Sequence, residues 1–151
     1  MKNGKENILP VSTPPLMYLS RTTAQLAVGV LNPTLPNWMY TRYVQLDIKK
    51  DCWAFFIDFP PNVHSRDIPR EEIRQRYPRF SDYAVEAIDR GYYLFLWTDT
   101  YPLSPYANSY HTHFRHEPLI YGYRDGGCTF CIADFFDYRR GFQHAVCTGE
   151  E

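Results

Sequence analysis

The sequence predicts an α+β domain in which N-terminal helices pack on an antiparallel sheet. Three observations lead to that class. Apolar residues recur at helical spacing in 20–31 and again in 81–91, whereas the last third of the chain is cut into short aromatic and β-branched runs by glycine-bearing turns. A chain of 151 residues that is 44% hydrophobic also holds enough apolar material for one core and not comfortably for two.

Taken in order, residues 1–16 are polar and proline-bearing (VSTPP) and are expected as a tail or extended lead-in, with a single domain over 17–151. In SRTTAQLAVGVL, 20–31, Ser20 or Thr22 can cap a helix, and Leu26, Val30 and Leu31 supply its apolar stripe before Asn32-Pro33 ends it. NWMYTRYVQLDI, 37–48, and CWAFFIDF, 52–59, are rich in aromatic and branched residues and predict strands or extended packed segments. Pro69 can open a helix at PREEIRQRY. The clearest helix follows, capped by Ser81, striped by Ala84, Val85 and Ile88, and closed at Gly91. YYLFLWTD, 92–99, reads as a continuous buried strand. After a proline-interrupted loop come strands near 115–123 and 128–136 around Arg124-Asp125-Gly126-Gly127, and a third at FQHAVCT.

Charge and composition exclude several function classes. Sixteen Lys plus Arg against 17 Asp plus Glu leave a net charge of -1, which argues against a nucleic-acid partner bound through a basic surface. No run approaches the roughly 20 apolar residues of a membrane span, and the opening MKNGKENILP lacks the apolar core of a secretory signal, so no membrane partner and a cytoplasmic location are expected. Four cysteines in a reducing compartment are expected as free thiols. A zinc site joining CTFC to His111, His113 and His116 is not expected, because residues three apart on a strand face opposite ways; no cofactor is expected either. An aromatic share of 17% suits a groove or interface that packs on one side and hydrogen-bonds on the other.

The chemistry-bearing stretch is HFRHEPLIYGYRDGGCTFCIADFF, 113–136. An imidazole held by a carboxylate is the base and orienter of a nucleophilic triad. His116 and Asp134 stand where two strands of a hairpin would bring them near each other, and register decides whether they meet. A two-residue loop sets His116 opposite Phe135, with Asp134 on the other face. A three-residue loop, Asp125-Gly126-Gly127, pairs Arg124 with Cys128 and leaves Asp134 diagonal to His116 on one face, an arrangement that two consecutive glycines favour. A histidine that merely ends a strand at the sheet rim satisfies the same spacing.

A helix, a broad middle segment, then a strand bearing His with an apolar-Gly-Tyr run and a second strand bearing Asp resemble the layout of the papain-like fold of bacteriocin-processing cysteine peptidases; the segments in question are NWMYTRYVQL, AIDRGYYLFLWTDTYPL, YHTHFRHEPLIYGYRDG and CTFCIADFF. More closely, they resemble the family related to the N-terminal domain of the butirosin biosynthesis protein H, found in bacterial peptide-antibiotic gene clusters. The resemblance covers about residues 37–142, and its best motif is His-x-x-x-Ile-Tyr-Gly-Tyr. It implies a papain-like domain over 17–151 that transfers or hydrolyses an acyl or peptidyl group, with an acyl or peptidyl carrier protein or a peptide-like small molecule as partner. It also implies His116 as base and Asp134 as orienter. The nucleophile of such a fold sits at the N-terminus of the first helix, where this chain has Ser20, Thr22 or Thr23 and no cysteine.

Cys52 is a second nucleophile candidate, since CWAF is also the string that follows the papain nucleophile, yet its surroundings read as a packed strand. Asp99, Tyr101 and Tyr106, with His113 and Tyr121, are expected to line a substrate pocket. The absent cysteine equally fits a non-catalytic relative whose groove binds a carrier protein or peptide.

Overall fold

The computed structural model describes residues 4–17, 19–42, 47–48, 54–55, 63–106, 112–137 and 139–149. Within them the fold is α+β, with helices packed on an antiparallel sheet. Strand β1 (Asn7–Ile8) is followed by helices α1 (Ser20–Gly29) and α2 (Leu35–Arg42), the short pair β2 (Asp47–Ile48) and β3 (Ala54–Phe55), and helices α3 (Arg70–Arg76) and α4 (Phe80–Asp89). Then come β4 (Leu94–Phe95), β5 (Thr98–Asp99), β6 (Arg115–His116), β7 (Leu119–Arg124), β8 (Thr129–Asp134) and β9 (Gln143–Thr148).

In the main sheet β8 lies between β7 and β9, and the far edge of β7 is shared by β1 at one end and β4 at the other. The lead-in is therefore more than a tail. Asn7 and Ile8 pair with Tyr123 and Gly122, and their backbone runs so close to Gly122 that a Cβ there would meet Asn7 O and Ile8 Cα at 3.0 Å.

Side chains alternate across β7 and β8, so each face buries its own cluster. Ile120, Tyr123, Phe130 and Ile132 pack with Ala84 and Ile88 of α4, whereas Leu119 and Ala133 pack with Ala24 and Val28 of α1. Helix α4 has the stripe its sequence predicts, and α3 begins directly after Pro69 as expected. The expected caps differ. Leu19 and Arg79 occupy the cap positions of α1 and α4, which leaves Ser20 and Ser81 inside the first turns.

Two strand expectations are corrected. Leu35–Arg42 is helical where the first half of 37–48 reads as extended, while Asp47–Ile48 is extended as expected; a local start signal precedes the helix: Asn32 Oδ1 accepts from Thr34 N at 3.0 Å, and Leu35 N donates to Asn32 O. Pro36 in the first turn has no N–H to leave unsatisfied, and such a start outweighs the weak, context-dependent β preference of Trp and Tyr. The buried strand expected over 92–99 is two short strands, with Tyr92 and Trp97 exposed. Of the strand expected over 52–59, only Ala54–Phe55 falls among the described residues, and it is extended.

The break in 92–99 has its cause in the partner strand. Leu94 and Phe95 pair with Ile120 and Leu119, and Thr98 and Asp99 pair with His116 and Arg115 in the same continuing register. Between them stands Pro118, which has no N–H to give the ladder. The β5–β6 ribbon is thus an in-register extension of the sheet beyond a proline gap, and it carries His116.

One polar clasp ties the N-terminal segment to the end of α4. Lys5 Nζ bonds Asp89 Oδ2 at 2.5 Å, Tyr123 OH donates to Asp89 Oδ1 at 2.8 Å, and Asn7 Nδ2 donates to Ile88 O. The Lys5 hydrogen bond, aided by Tyr123, holds the Asp89 carboxyl below its usual range, while Asp89 raises Lys5. A depressed carboxyl stabilises the fold above its unfolded value of about 4 and loses that contribution as pH falls through the folded value. Lys5→Met is therefore expected to lower the urea midpoint at neutral pH, with the gap to wild type closing on acidification below about pH 4. A gap that stays constant in urea titrations down to that pH would show that the clasp does not act through this charge pair.

Candidate catalytic site

The site begins with the start of α1. Leu19 is extended (φ -127°, ψ 131°) and the intrahelical ladder opens with Thr23 N donating to Leu19 O at 2.8 Å. The N–H groups of the turn ahead of that bond point out of the helix end, where the backbone dipoles favour negative charge. Ser20 is the first helical residue, one past the cap position held by Leu19. Ser20 Oγ lies 3.3 Å from His116 Nε2.

His116 is the last residue of β6, paired across the ribbon with Thr98. Its other nitrogen, Nδ1, is 2.5 Å from Asp134 Oδ2. A carboxylate beside Nδ1 assigns the ring proton to that nitrogen, so the lone pair of Nε2 faces the Ser20 hydroxyl. The imidazole is 23% exposed and the carboxylate is fully buried, so the chain of groups runs from the surface into the core.

Asp134 ends β8 on the face that carries Phe130 and Ile132, and three donors hold its carboxylate. Oδ2 accepts from His116 and, at 2.5 Å, from Tyr106 OH, while Oδ1 accepts from Phe135 N at 2.8 Å. Phe114 lies over the imidazole, its ring centroid 5.5 Å away and tilted 33°. Among the described residues no buried side-chain N or O atom lacks a partner, so this buried charge is satisfied.

The hairpin reaches this alignment by two compensating departures from the expected turn. Arg124 pairs with Thr129, so four residues, Asp125 to Cys128, make the turn, one more than the three-residue loop. Asp125, Gly126 and Gly127 all take positive φ (51°, 68° and 96°), and Gly126 N donates to Lys5 O. A bulge between Ile120 and Gly122 then removes one residue of register, so Leu119 pairs with Ala133 as the three-residue loop would have it. His116 and Asp134 share a face as that alternative requires.

The expected pocket residues divide. Asp99, Tyr101 and His113 do gather, with Asp99 Oδ2 2.6 Å from His113 Nδ1 and the Tyr101 ring centroid 4.5 Å from that of His113. The His113 hydrogen bond holds the Asp99 carboxyl below its usual range. Alternation along the ribbon, however, puts Asp99 opposite Arg115 on the face away from His116. Tyr106 lines no pocket mouth: it is wholly buried in a 3-10 turn, Ser104–Tyr106, behind Asp134. Tyr121, on the bulge, packs with Ala24, Leu119 and Ala133, and its OH is 3.1 Å from His144 Nδ1; burial pushes its phenol up.

A scan of protein-family models, a search of curated proteins and a search of solved structures each found no match.

Cys52 and His111 lie outside the described residues. Cys128 is exposed in the hairpin turn and Cys131 is buried in β8, and among the described residues no three His, Cys, Asp or Glu gather to hold a metal. No helix among them is long and apolar enough to cross a membrane. Sequence reasoning missed Phe114 over the imidazole and the Phe135 N–H on Asp134; neither residue type carries a signal for such a role.

Proposed function

We propose that the protein is a serine-dependent acyl hydrolase or acyltransferase with a papain-like arrangement, in which serine stands where the cysteine peptidases it resembles carry cysteine. The observation that carries this reading is the continuous line from Ser20 Oγ to His116 Nε2 and from His116 Nδ1 to Asp134 Oδ2. A separation of 3.3 Å between nucleophile and base is loose, as is usual before substrate tightens such a contact. Support for the papain-like assignment comes from the nucleophile at a helix N-terminus facing a base and an orienter on the sheet.

In the proposed reaction Ser20 Oγ attacks the carbonyl carbon of an ester, thioester or amide, and its proton passes to His116 Nε2. Asp134 fixes the ring and balances the positive charge that develops on it. The oxyanion is met by N–H groups at the start of α1 and by the positive end of the helix dipole. Collapse breaks the bond to the leaving group, which departs with the proton held by His116, and leaves an acyl ester on Ser20. Water or an amine, deprotonated by His116, then attacks that ester and restores the serine hydroxyl. The substrate class follows the resemblance: an acyl or peptidyl group on a carrier protein, or a peptide-like small molecule, within cytoplasmic bacterial peptide natural-product assembly.

The test is covalent labelling by a fluorophosphonate, in which Ser20 Oγ bonds phosphorus and fluoride leaves. Mass spectrometry is expected to find one adduct, on the peptide that contains Ser20. A folded protein that takes no adduct would instead support a groove that binds a carrier or peptide without chemistry.

A further inference from the structure

Asp134 Oδ2 accepts from two groups at once, and one of them belongs to no part of the proposed reaction. Tyr106 reaches it from the loop between β5 and β6, where Thr100 N and Oγ1 both donate to Phe114 O, Leu103 N donates to Thr100 O and Tyr106 N donates to Leu103 O. The loop is thus pinned to the residue that stacks on His116. The Tyr106 ring is wholly buried, edge-on to Phe136 at 4.9 Å and to His116 at 6.3 Å. The buried ring holds its hydroxyl against the carboxylate.

We infer that Tyr106 is a positioning residue that fixes the Asp134 carboxylate, and through it the ring plane and tautomer of His116; this rests on the acyl-transfer reading. A carboxylate held only by the Phe135 N–H on Oδ1 can turn about its last bond, carrying Oδ2 out of the imidazole plane. The second donor on Oδ2 removes that rotation. The position is set by burial and by ring contacts with Phe136 and His116, which suits a group whose use is to hold another in place.

The fold contains its own control. Tyr123 is equally buried in the same core cluster and its hydroxyl also donates to a carboxylate, that of Asp89, whose described hydrogen bonds go to Lys5, Asn7 and Tyr123. Tyr106→Phe and Tyr123→Phe are to be compared for fluorophosphonate labelling, p-nitrophenyl acetate hydrolysis and the low-field NMR resonance of the His116 Nδ1 proton. Tyr106→Phe is expected to slow labelling and kcat about tenfold with KM unchanged, the low end of the loss when a partner orienting a metal-bound imidazole is removed, and to move the resonance. Tyr123→Phe is expected to leave all three at the wild-type values.

Equal losses in the two variants, or a Tyr106→Phe protein that matches wild type, would overturn the inference. Should wild type itself fail to label or hydrolyse, the acyl-transfer reading falls, and the resonance alone decides whether Tyr106 positions His116. If Tyr106→Phe does not fold, fluorotyrosine at position 106 keeps the ring and alters only the strength of the donor. An Nδ1 resonance that does not respond to it would overturn the inference equally.

Discussion

Ser20→Ala is expected to eliminate fluorophosphonate labelling and to lower p-nitrophenyl acetate hydrolysis by about 10⁴-fold or more, the scale on which removing a triad nucleophile acts. Its fold should survive intact. The hydrogen bond described for the Ser20 hydroxyl is to His116 Nε2, on a ring that reaches the surface, so alanine, a strong helix former, takes the first position of α1 without leaving a donor or acceptor stranded in the core. An unchanged urea midpoint together with lost labelling separates chemistry from stability. Ser20→Cys provides the complementary outcome: a thiol at a helix N-terminus beside an imidazole is expected to form thiolate readily and to react with iodoacetamide faster than Cys128, the exposed thiol among the described cysteines. Labelling that persists in Ser20→Ala would assign the nucleophile elsewhere, with Cys52 the next residue to test.

Local signals were readable where the structure is decided locally. Helix α4 has its apolar stripe and its glycine with φ 84° just past the end, and α3 starts behind a proline; both follow from residues within one or two turns. The order of β7, β8 and β9 is equally visible in alternation and turn glycines. The expectation for 37–48 failed over 37–42, because Trp38 and Tyr40 carry a weak strand preference that the Asn32-Thr34 start overrides, whereas Asp47–Ile48 is extended. The break in 92–99 was hidden because it is caused by Pro118, more than twenty residues downstream.

The site was legible in an uneven way. His116 and Asp134 could be nominated as a pair because a hairpin register has only a few integer solutions, and each solution puts a given residue on one face or the other. The solution reached depends on a bulge at the Ile120/Gly122 step, which the lone Gly122 signals without fixing its effect on register, and on a turn held by Lys5, which leaves no mark in the hairpin's own residues. Ser20 could be nominated only through the resemblance, since a serine at a helix start is ordinarily a cap. Tyr106 could not be assigned its position at all, because which loop packs behind a buried carboxylate is decided by the tertiary fold.

Asp134→Asn is expected to reduce labelling and hydrolysis by about 10⁴-fold while retaining the fold, which is the effect of losing the orienting carboxylate of a triad. The reason is a mismatch of donors. His116 Nδ1, Tyr106 OH and Phe135 N all point at the carboxylate, which offers only acceptors. An asparagine amide has one acceptor oxygen and a donor nitrogen. If its oxygen keeps the Phe135 N–H, its nitrogen faces His116 and Tyr106; the tyrosine hydroxyl can rotate to accept, but the imidazole can accept at Nδ1 only by moving its proton to Nε2. That tautomer donates toward Ser20 Oγ and can no longer take its proton. The remaining mismatch at a buried site is worth on the order of 1–3 kcal/mol of stability, small enough for a folded variant to be studied. Nitrogen-15 shifts of the His116 ring report the tautomer directly: exchange of the protonated nitrogen from Nδ1 to Nε2 in Asp134→Asn is the expected result. A ring that keeps its Nδ1 proton while activity is lost would mean that Asp134 acts through its charge, and not by holding the imidazole in one form.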